Sequence, residues 1–239
     1  MRYVMTKKIK SVINIVLFII VIICLTKIID KNYKYYRSNK KYEEIKDIIN
    51  ISEFDDNTIL RDKKLKDINS EYKFWINIPN TEIDYPVVQS KDNEFYLENN
   101  FYREKDMAGA IFIDYNNDIF NDKNLILYGH NMRNGSMFAD INRFKEKDFF
   151  DNVKIKIIKD GKEYFYELFS VFVESSSEIN IKNKFGSNDE FKEYINILKN
   201  KSIYKSEDFK SDVSNIITLY TCSYEFKDAR TIVCASLIE

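Results

Sequence analysis

Sixteen consecutive residues near the start of the chain, Ser11–Thr26 (SVINIVLFIIVIICLT), carry no charge, and Ile28 and Ile29 extend the run past Lys27. Wound as a helix rising about 1.5 Å per residue, such a run sits at the short end of what crosses about 30 Å of hydrocarbon. Lys10 and Lys27 flank it, placed to snorkel to the two interfaces. A basic start followed by an apolar run is also the pattern of a cleaved signal peptide. The following KIIDKNYKYYRSNKKYEE lacks the small-x-small site that cleavage needs, so the segment reads as a retained membrane anchor.

Charge is unevenly placed around this anchor. The first 29 residues hold five basic groups and no acid, residues 30–42 hold five basic groups against Asp30 alone, a net of +4, and residues 43–239 hold 27 basic against 37 acidic residues, a net of −10. An acidic domain is thus held off an anionic surface by a basic tether. Four basic residues before the segment and six soon after it leave its orientation open. Over the whole chain 37 Lys and Arg balance 38 Asp and Glu, which argues against a nucleic-acid binder. With 17 Tyr, 18 Phe and one Trp there is ample material for a core, and disorder is excluded. Three cysteines with no CxxC pair exclude a zinc ribbon, a thioredoxin-type motif and a disulfide-stapled fold.

Beyond the anchor, residues 30–70 read as a helical stalk, with charged and apolar residues interleaved at three and four spacing in YEEIKDIINI and LRDKKLKDI. The texture changes near Tyr72. FWINIPNTEIDYPVV reads as strand, turn and strand, and GAIFID (109–114), NLILYG (124–129), VKIKII (153–158), KEYFYELFSVFVE (162–174), SNIITLYTC (214–222) and RTIVCASLI (230–238) are further short β-rich runs. One helical pattern, NDEFKEYINILKN (188–200), falls between the sixth and seventh of these eight strands, with Phe191, Tyr194, Ile195 and Leu198 on one face. Strands without regular αβ alternation predict a mostly β, mostly antiparallel barrel or sandwich over residues 71–239.

The chemistry available is sparse. His130, at the end of NLILYG, is the one side chain suited to proton transfer near neutral pH, and NMRNGSMF after it marks a loop. Of the cysteines, Cys24 lies in the anchor and Cys234 inside a strand, where a small buried hydrophobe is expected. Cys222 ends its strand. Arg230 opens the next strand eight residues later, so a hairpin through SYEFKDA would set the two near one another, and a cation beside a thiol favours the nucleophilic thiolate. A Cys222–Cys234 disulfide would consume that nucleophile, and a His130/Cys222/Cys234 metal site has too few ligands; no metal or cofactor is expected.

TLYTCSYE, with an Arg eight residues after its Cys and LYGHN about ninety residues before it, resembles the sortase family of cysteine transpeptidases. WINIPNTEIDYPVVQSKDNEFYLENNF followed by AGAIFIDYNN is similar to class B sortases in particular. The resemblance covers about Tyr72 to Glu239 and implies an eight-stranded β-barrel with N-terminal helices. It implies His130, Cys222 and Arg230 as the catalytic residues, and cleavage, by cysteine-peptidase chemistry, of a C-terminal sorting signal of the NPQTN, NPxTx or SPxTG kind after its Thr. The partners implied are secreted proteins bearing that signal and a peptidoglycan precursor amine that receives them. The host implied is a thick-walled, Gram-positive one, with the N-terminus cytoplasmic and the catalytic domain outside. Tyr128, Asn131, Ser223 and Tyr224 flank the candidates as pocket residues. Ile181, Phe185 and the 188–200 helix are candidates for the wall that receives the signal. Some class B members carry an acid close behind the cysteine. Here Ser223 and Tyr224 follow, and Glu225 and Asp228, like Asp114 and Asp118, are expected on solvated loops.

Two other readings compete. A papain-like peptidase places Cys before His with the Cys opening a helix, the reverse of the order here. A membrane-tethered, non-enzymatic β-domain that binds wall or partner proteins requires that Cys222 be dispensable.

Overall fold

The computed structural model describes residues 7–53, 58–205, 209 and 212–238, with backbone alone for 7, 8, 48–53, 58 and 59. Arg2 and the side chains of Lys7 and Lys8, counted above in the basic leader, lie outside the described residues, as do the side chains of YEEIKDIINI beyond Asp47.

One helix, α1 (Lys7–Glu53), carries the uncharged run and continues without a break into the first part of the stalk. It is long and apolar enough to cross a membrane, and Val12–Leu25 expose their hydrophobic side chains throughout. Its far end is instead buried. Tyr42 and Ile45 pack with Leu65 of α2 (Thr58–Ile68) into the main core, and the Tyr42 hydroxyl donates to the carbonyl of Gly109 at 2.6 Å. The helix therefore docks on the domain that follows it. From α2, Asp62 accepts from the Tyr72 hydroxyl (2.9 Å) and from the amide of Asp160 (2.6 Å), joining the helix to two strand ends.

Eight strands follow: β1 (Tyr72–Asn77), β2 (Asp84–Val88), β3 (Ile111–Ile113), β4 (Asn124–Tyr128), β5 (Lys154–Lys159), β6 (Lys162–Ser175), β7 (Ile216–Cys222) and β8 (Ala229–Leu237). They close into a barrel in the order β1-β2-β3-β4-β7-β8-β6-β5, with β5 returning to β1. Of the two architectures the strand pattern allows, the chain adopts the barrel, which leaves no open sheet edge. The pairing is antiparallel except at β2–β3 and β4–β7, which are parallel. Inward-facing Phe74, Ile76, Val87, Ile111, Leu127, Ile155, Val171, Leu219 and Val233, all essentially inaccessible, fill the interior.

β6 is long enough to serve two neighbours. Its first half pairs with β5 and its second with β8, with a register shift between Leu168 and Ser170. Around that shift a second, smaller core forms. A short helix, α3 (Lys147–Asn152), precedes β5, and at the second core α4 (Asn188–Lys201) lays Phe191, Tyr194, Ile195 and Leu198 against Phe169, Phe172, Ile216 and Ile232. Ser187 caps the helix by accepting from the Glu190 amide, and acids in the first turn with lysines in the last complement the helix dipole.

Candidate active site

The parallel β4–β7 contact does what sequence distance conceals. Its register sets Tyr128 opposite Tyr220, so the residues two further along each chain, His130 and Cys222, emerge at the same end of the barrel although 92 positions separate them. On the other side of β7, the hairpin register pairs Cys222 directly with Arg230 of β8. Adjacent strands lie about 4.8 Å apart, so the three residues occupy neighbouring strand ends within roughly 10 Å of backbone. All three, each half-buried, line one cavity of about 540 Å³.

Cross-links hold these strand ends in place. Thr221 Oγ1 donates to the Gly129 carbonyl (2.7 Å), and Asn131 Nδ2 donates to the Cys222 carbonyl (2.8 Å). Gly129 itself is obligatory for packing, since a Cβ there would sit 2.5 Å from Ile111 Cδ1 and 2.8 Å from the Phe138 ring. Ahead of Cys222, the aromatic rings of Phe112, Tyr128 and Tyr220 pack along one wall, tilted and then edge-on, with centroids 5.3 and 5.2 Å apart. Ile179 and Ile181, from the segment after β6, form another wall.

His130 is oriented by a backbone group. Its Nε2 lies 2.7 Å from the carbonyl oxygen of Leu97, in the short turn Phe95–Leu97. A carbonyl only accepts, so Nε2 carries the hydrogen and Nδ1 is left as the position that gains or loses a proton. Behind the aromatic wall, Asp114 is 8% exposed and accepts from the Tyr128 hydroxyl (2.9 Å), Asn93 Nδ2 (2.8 Å) and the Asn116 amide (2.9 Å). Burial, reinforced by the Asp114 charge, pushes the Tyr128 phenol far above its ordinary value, so it remains a donor. Burial likewise raises the Tyr220 phenol, against the pull of the nearby Arg230 cation.

Several expectations need correction. Asp114 is not on a solvated loop; it is the buried acceptor that fixes Tyr128, whereas Asp118 is exposed and caps the turn at Phe120. Ser223 does not line the cavity. Its hydroxyl is buried between Lys145 Nζ (3.1 Å) and Glu225. Glu225 is exposed yet bound. Partial burial would raise its carboxyl, but hydrogen bonds from Lys145 and Ser223 prevail and hold it at about 2. Asn131 braces Cys222 from outside the cavity, and Tyr224 is exposed, with its hydroxyl 3.4 Å from the Asn131 carbonyl. Of the proposed wall, Ile181 lines the cavity, while Phe185 packs on Phe191 and Tyr194 in the second core. The α4 helix stands behind that wall. Its Tyr194 hydroxyl accepts from the Lys182 amide (3.1 Å), and Asn124 Nδ2 donates to the Lys182 carbonyl (2.8 Å), so the helix steadies the loop that presents Ile181.

Sequence reasoning missed Leu97, Asn93, Ile179, Thr221 and Tyr220, which all line the cavity. None is titratable except Tyr220, and Leu97 acts through its carbonyl, which leaves no trace in residue type. All three cysteines are free; burial pushes the Cys234 thiol up to about 12, which leaves it inert at neutral pH.

The Sortase domain profile matches residues 76–238. Sortase B of Listeria monocytogenes is 39% identical over 183 residues, spanning 75% of this chain and 74% of that protein. Sortase B of Staphylococcus aureus is 28% identical over 98% of both. Among solved structures, a mutant form of Clostridium perfringens sortase B superposes with a TM-score of 0.79 at 38% identity, covering 84% of this chain and 98% of that one. A substrate complex of S. aureus sortase B gives 0.76 at 26% identity, covering 85% and 97%. Barrel topology, sequence identity and the matched span agree, and the chain belongs to class B of the sortase family of cysteine transpeptidases.

Proposed function

We propose that this chain is a membrane-anchored transpeptidase that cuts a C-terminal sorting signal of the NPQTN, NPxTx or SPxTG kind after its Thr and joins the Thr to a peptidoglycan amine. The observation that carries this reading is the meeting of His130, Cys222 and Arg230 on one cavity at three neighbouring strand ends. Residues 1–29 serve as tail and anchor, 30–70 as stalk and 71–239 as the catalytic domain, with the N-terminus cytoplasmic and the barrel outside the membrane.

In this mechanism the extended signal lies along Phe112, Tyr128 and Tyr220, facing Ile179 and Ile181. The Cys222 thiolate attacks the Thr carbonyl carbon. The oxyanion that forms needs a preplaced donor, and Arg230, opposite Cys222 in register, supplies one. The Ser223 amide is not free for this, being bonded to the Ala229 carbonyl at 2.9 Å. His130, protonated on both nitrogens, gives the Nδ1 proton to the departing amine as the C–N bond breaks, while Leu97 retains the Nε2 hydrogen. The resulting thioester lets an incoming amine compete with water for the acyl group. Neutral His130 then accepts the proton of that amine.

The test is cleavage of a quenched NPQTN-type peptide by the full chain in detergent, with products identified by mass. Wild type should cut after Thr, and Cys222→Ala should not. Equal cleavage by Cys222→Ala would refute the mechanism, and no cleavage of any such peptide would favour the non-enzymatic β-domain.

A further inference from the structure

His130 borders two cavities. Besides the one shared with Cys222 and Arg230, it borders a groove of about 680 Å³ between α1 and the 97–107 segment, lined by Lys34, Arg37, Glu98, Lys105, Asp106 and Met107. Leu97 and His130 alone are common to the two. Charge is ordered along this groove. Glu98 adjoins Leu97, whose carbonyl holds the imidazole, and the Asp106 amide donates to the Glu98 carbonyl (2.9 Å), so both residues follow the turn that holds His130; the Asp106 carboxylate accepts from the Ala108 amide (3.0 Å) and Asn100 Nδ2 (3.2 Å). Lys105 pairs with Glu98, leaving that wall net negative. Lys34 and Arg37 stand one turn apart on α1, at the opposite wall. Their contacts to Asp30 (2.8 Å) and Glu104 (4.0 Å) are solvent-exposed pairs, weak and readily exchanged.

Acyl transfer through a thioester brings two substrates in turn to one carbonyl carbon. After the first step the acyl chain still occupies the Cys222 cavity, so the second amine needs its own approach, and one imidazole must serve both. We propose that the α1-side groove is that approach, and that it takes a primary amine carried on a short chain whose far end is anionic. The ammonium end faces Glu98 and Asp106, and the anionic end faces Lys34 and Arg37. Once the ammonium has released one proton to water, the neutral amine nitrogen bonds to the Thr carbonyl carbon and the C–S bond to Cys222 breaks; the second amine proton passes to His130 and from it to the Cys222 sulfur. Lys34 and Arg37 lie five and eight residues beyond Ile29, about 8–12 Å along the helix, so the groove opens close to where the apolar run ends.

This inference rests on the transpeptidase reading, and its test separates the two. Full-length chain in detergent receives an NPQTN-type donor and either triglycine with a free carboxylate or triglycine amide, and the ratio of transfer to hydrolysis product is measured for each. Wild type should favour the carboxylate acceptor. The charge reversal Lys34→Glu/Arg37→Glu should shrink that preference roughly fivefold. Met107→Trp, at a 38% exposed position that tolerates bulk, should lower transfer relative to hydrolysis with both acceptors. Transfer by wild type with both ratios unchanged in the variants overturns the groove alone. Cleavage without transfer to either amine overturns the transpeptidase reading and the groove with it.

Discussion

Gly109 lies far from the reacting sulfur in sequence, yet replacing it with Ala is expected to weaken catalysis through His130. Its φ of +61° is costly for any residue with a Cβ, about 1–2 kcal/mol for Ala. The added Cβ would also sit 2.5 Å from the Tyr96 carbonyl oxygen and 2.9 Å from that of Leu97, where ordinary contact begins at 3.4 Å. The two carbonyls must therefore retreat by roughly 0.9 and 0.5 Å, the differences from that limit. Tyr96 is pinned by its bond to the Ala110 amide (3.0 Å), and Leu97 holds the imidazole at 2.7 Å, so neither moves without consequence. Overpacking of this kind costs a further ~1–3 kcal/mol.

The expected loss is thus about 2–5 kcal/mol in stability, roughly 4–20 °C in Tm for a domain of this size. If a 1 Å misplacement costs about a hundredfold, a half-ångström shift of the histidine's support should cost about tenfold in kcat/KM, mostly in kcat, because the aromatic wall is untouched. Gly135→Ala is the matched control. Gly135 has φ +86° but nothing within 4 Å of an added Cβ, so it incurs the conformational strain without the collision. Peptide cleavage well below both melting temperatures, with circular dichroism to confirm folding, reads the difference. A folded Gly109→Ala enzyme within twofold of wild type in kcat/KM would refute the coupling of Leu97 to His130.

Other perturbations follow the same bonds. Tyr42→Phe removes the hydroxyl that donates to the Gly109 carbonyl from α1, leaving a buried acceptor unpaired; it should cost about 1–3 kcal/mol in a urea titration and lower kcat less than Gly109→Ala does. His130→Ala should abolish peptide cleavage, while Cys234→Ala, which trims an inaccessible thiol held 3.8 Å from Thr218, should lose only ~1 kcal/mol and keep its rate. Tyr128→Phe takes one of three donors from buried Asp114, with an expected stability loss of about 1–2 kcal/mol in thermal melts. Glu225 titrates lower folded than unfolded, so its contribution is present above about pH 4.5 and is lost as pH falls toward 2. Because its side chain is 43% exposed, Glu225→Gln should lower Tm at pH 7 by only about 1–2 °C, with the gap to wild type closing across that window.

What the sequence disclosed and what it hid divide along one physical line. Alternating β-branched and aromatic runs bounded by turns marked all eight strands, because strand formation is signalled within five or six residues. The Cys222–Arg230 pair was legible for the same reason: a short hairpin converts a spacing of eight into a register. The meeting of His130 with Cys222 was legible only through the family resemblance, because it depends on β4 lying parallel to β7, a crossover that passes over β5, β6 and α4 and that no local pattern encodes. Asp114 follows a strand and precedes YNND, and so reads as a loop acid. It is buried because Asn93 and Tyr128 converge on it from two other segments, adding to the local Asn116 amide, and these partners in space satisfy the charge that the loop alone would leave to water. The α4 face was correctly read as apolar, but an apolar face only requires burial. Whether it packs beneath a groove or lines one is decided by the register shift in β6, which turns Phe169 outward to meet it. Leu97 is the extreme case. Every residue but proline offers the same backbone groups, so the carbonyl that fixes the tautomer of His130 is identified only by the glycine at 109 that lets the chain approach it.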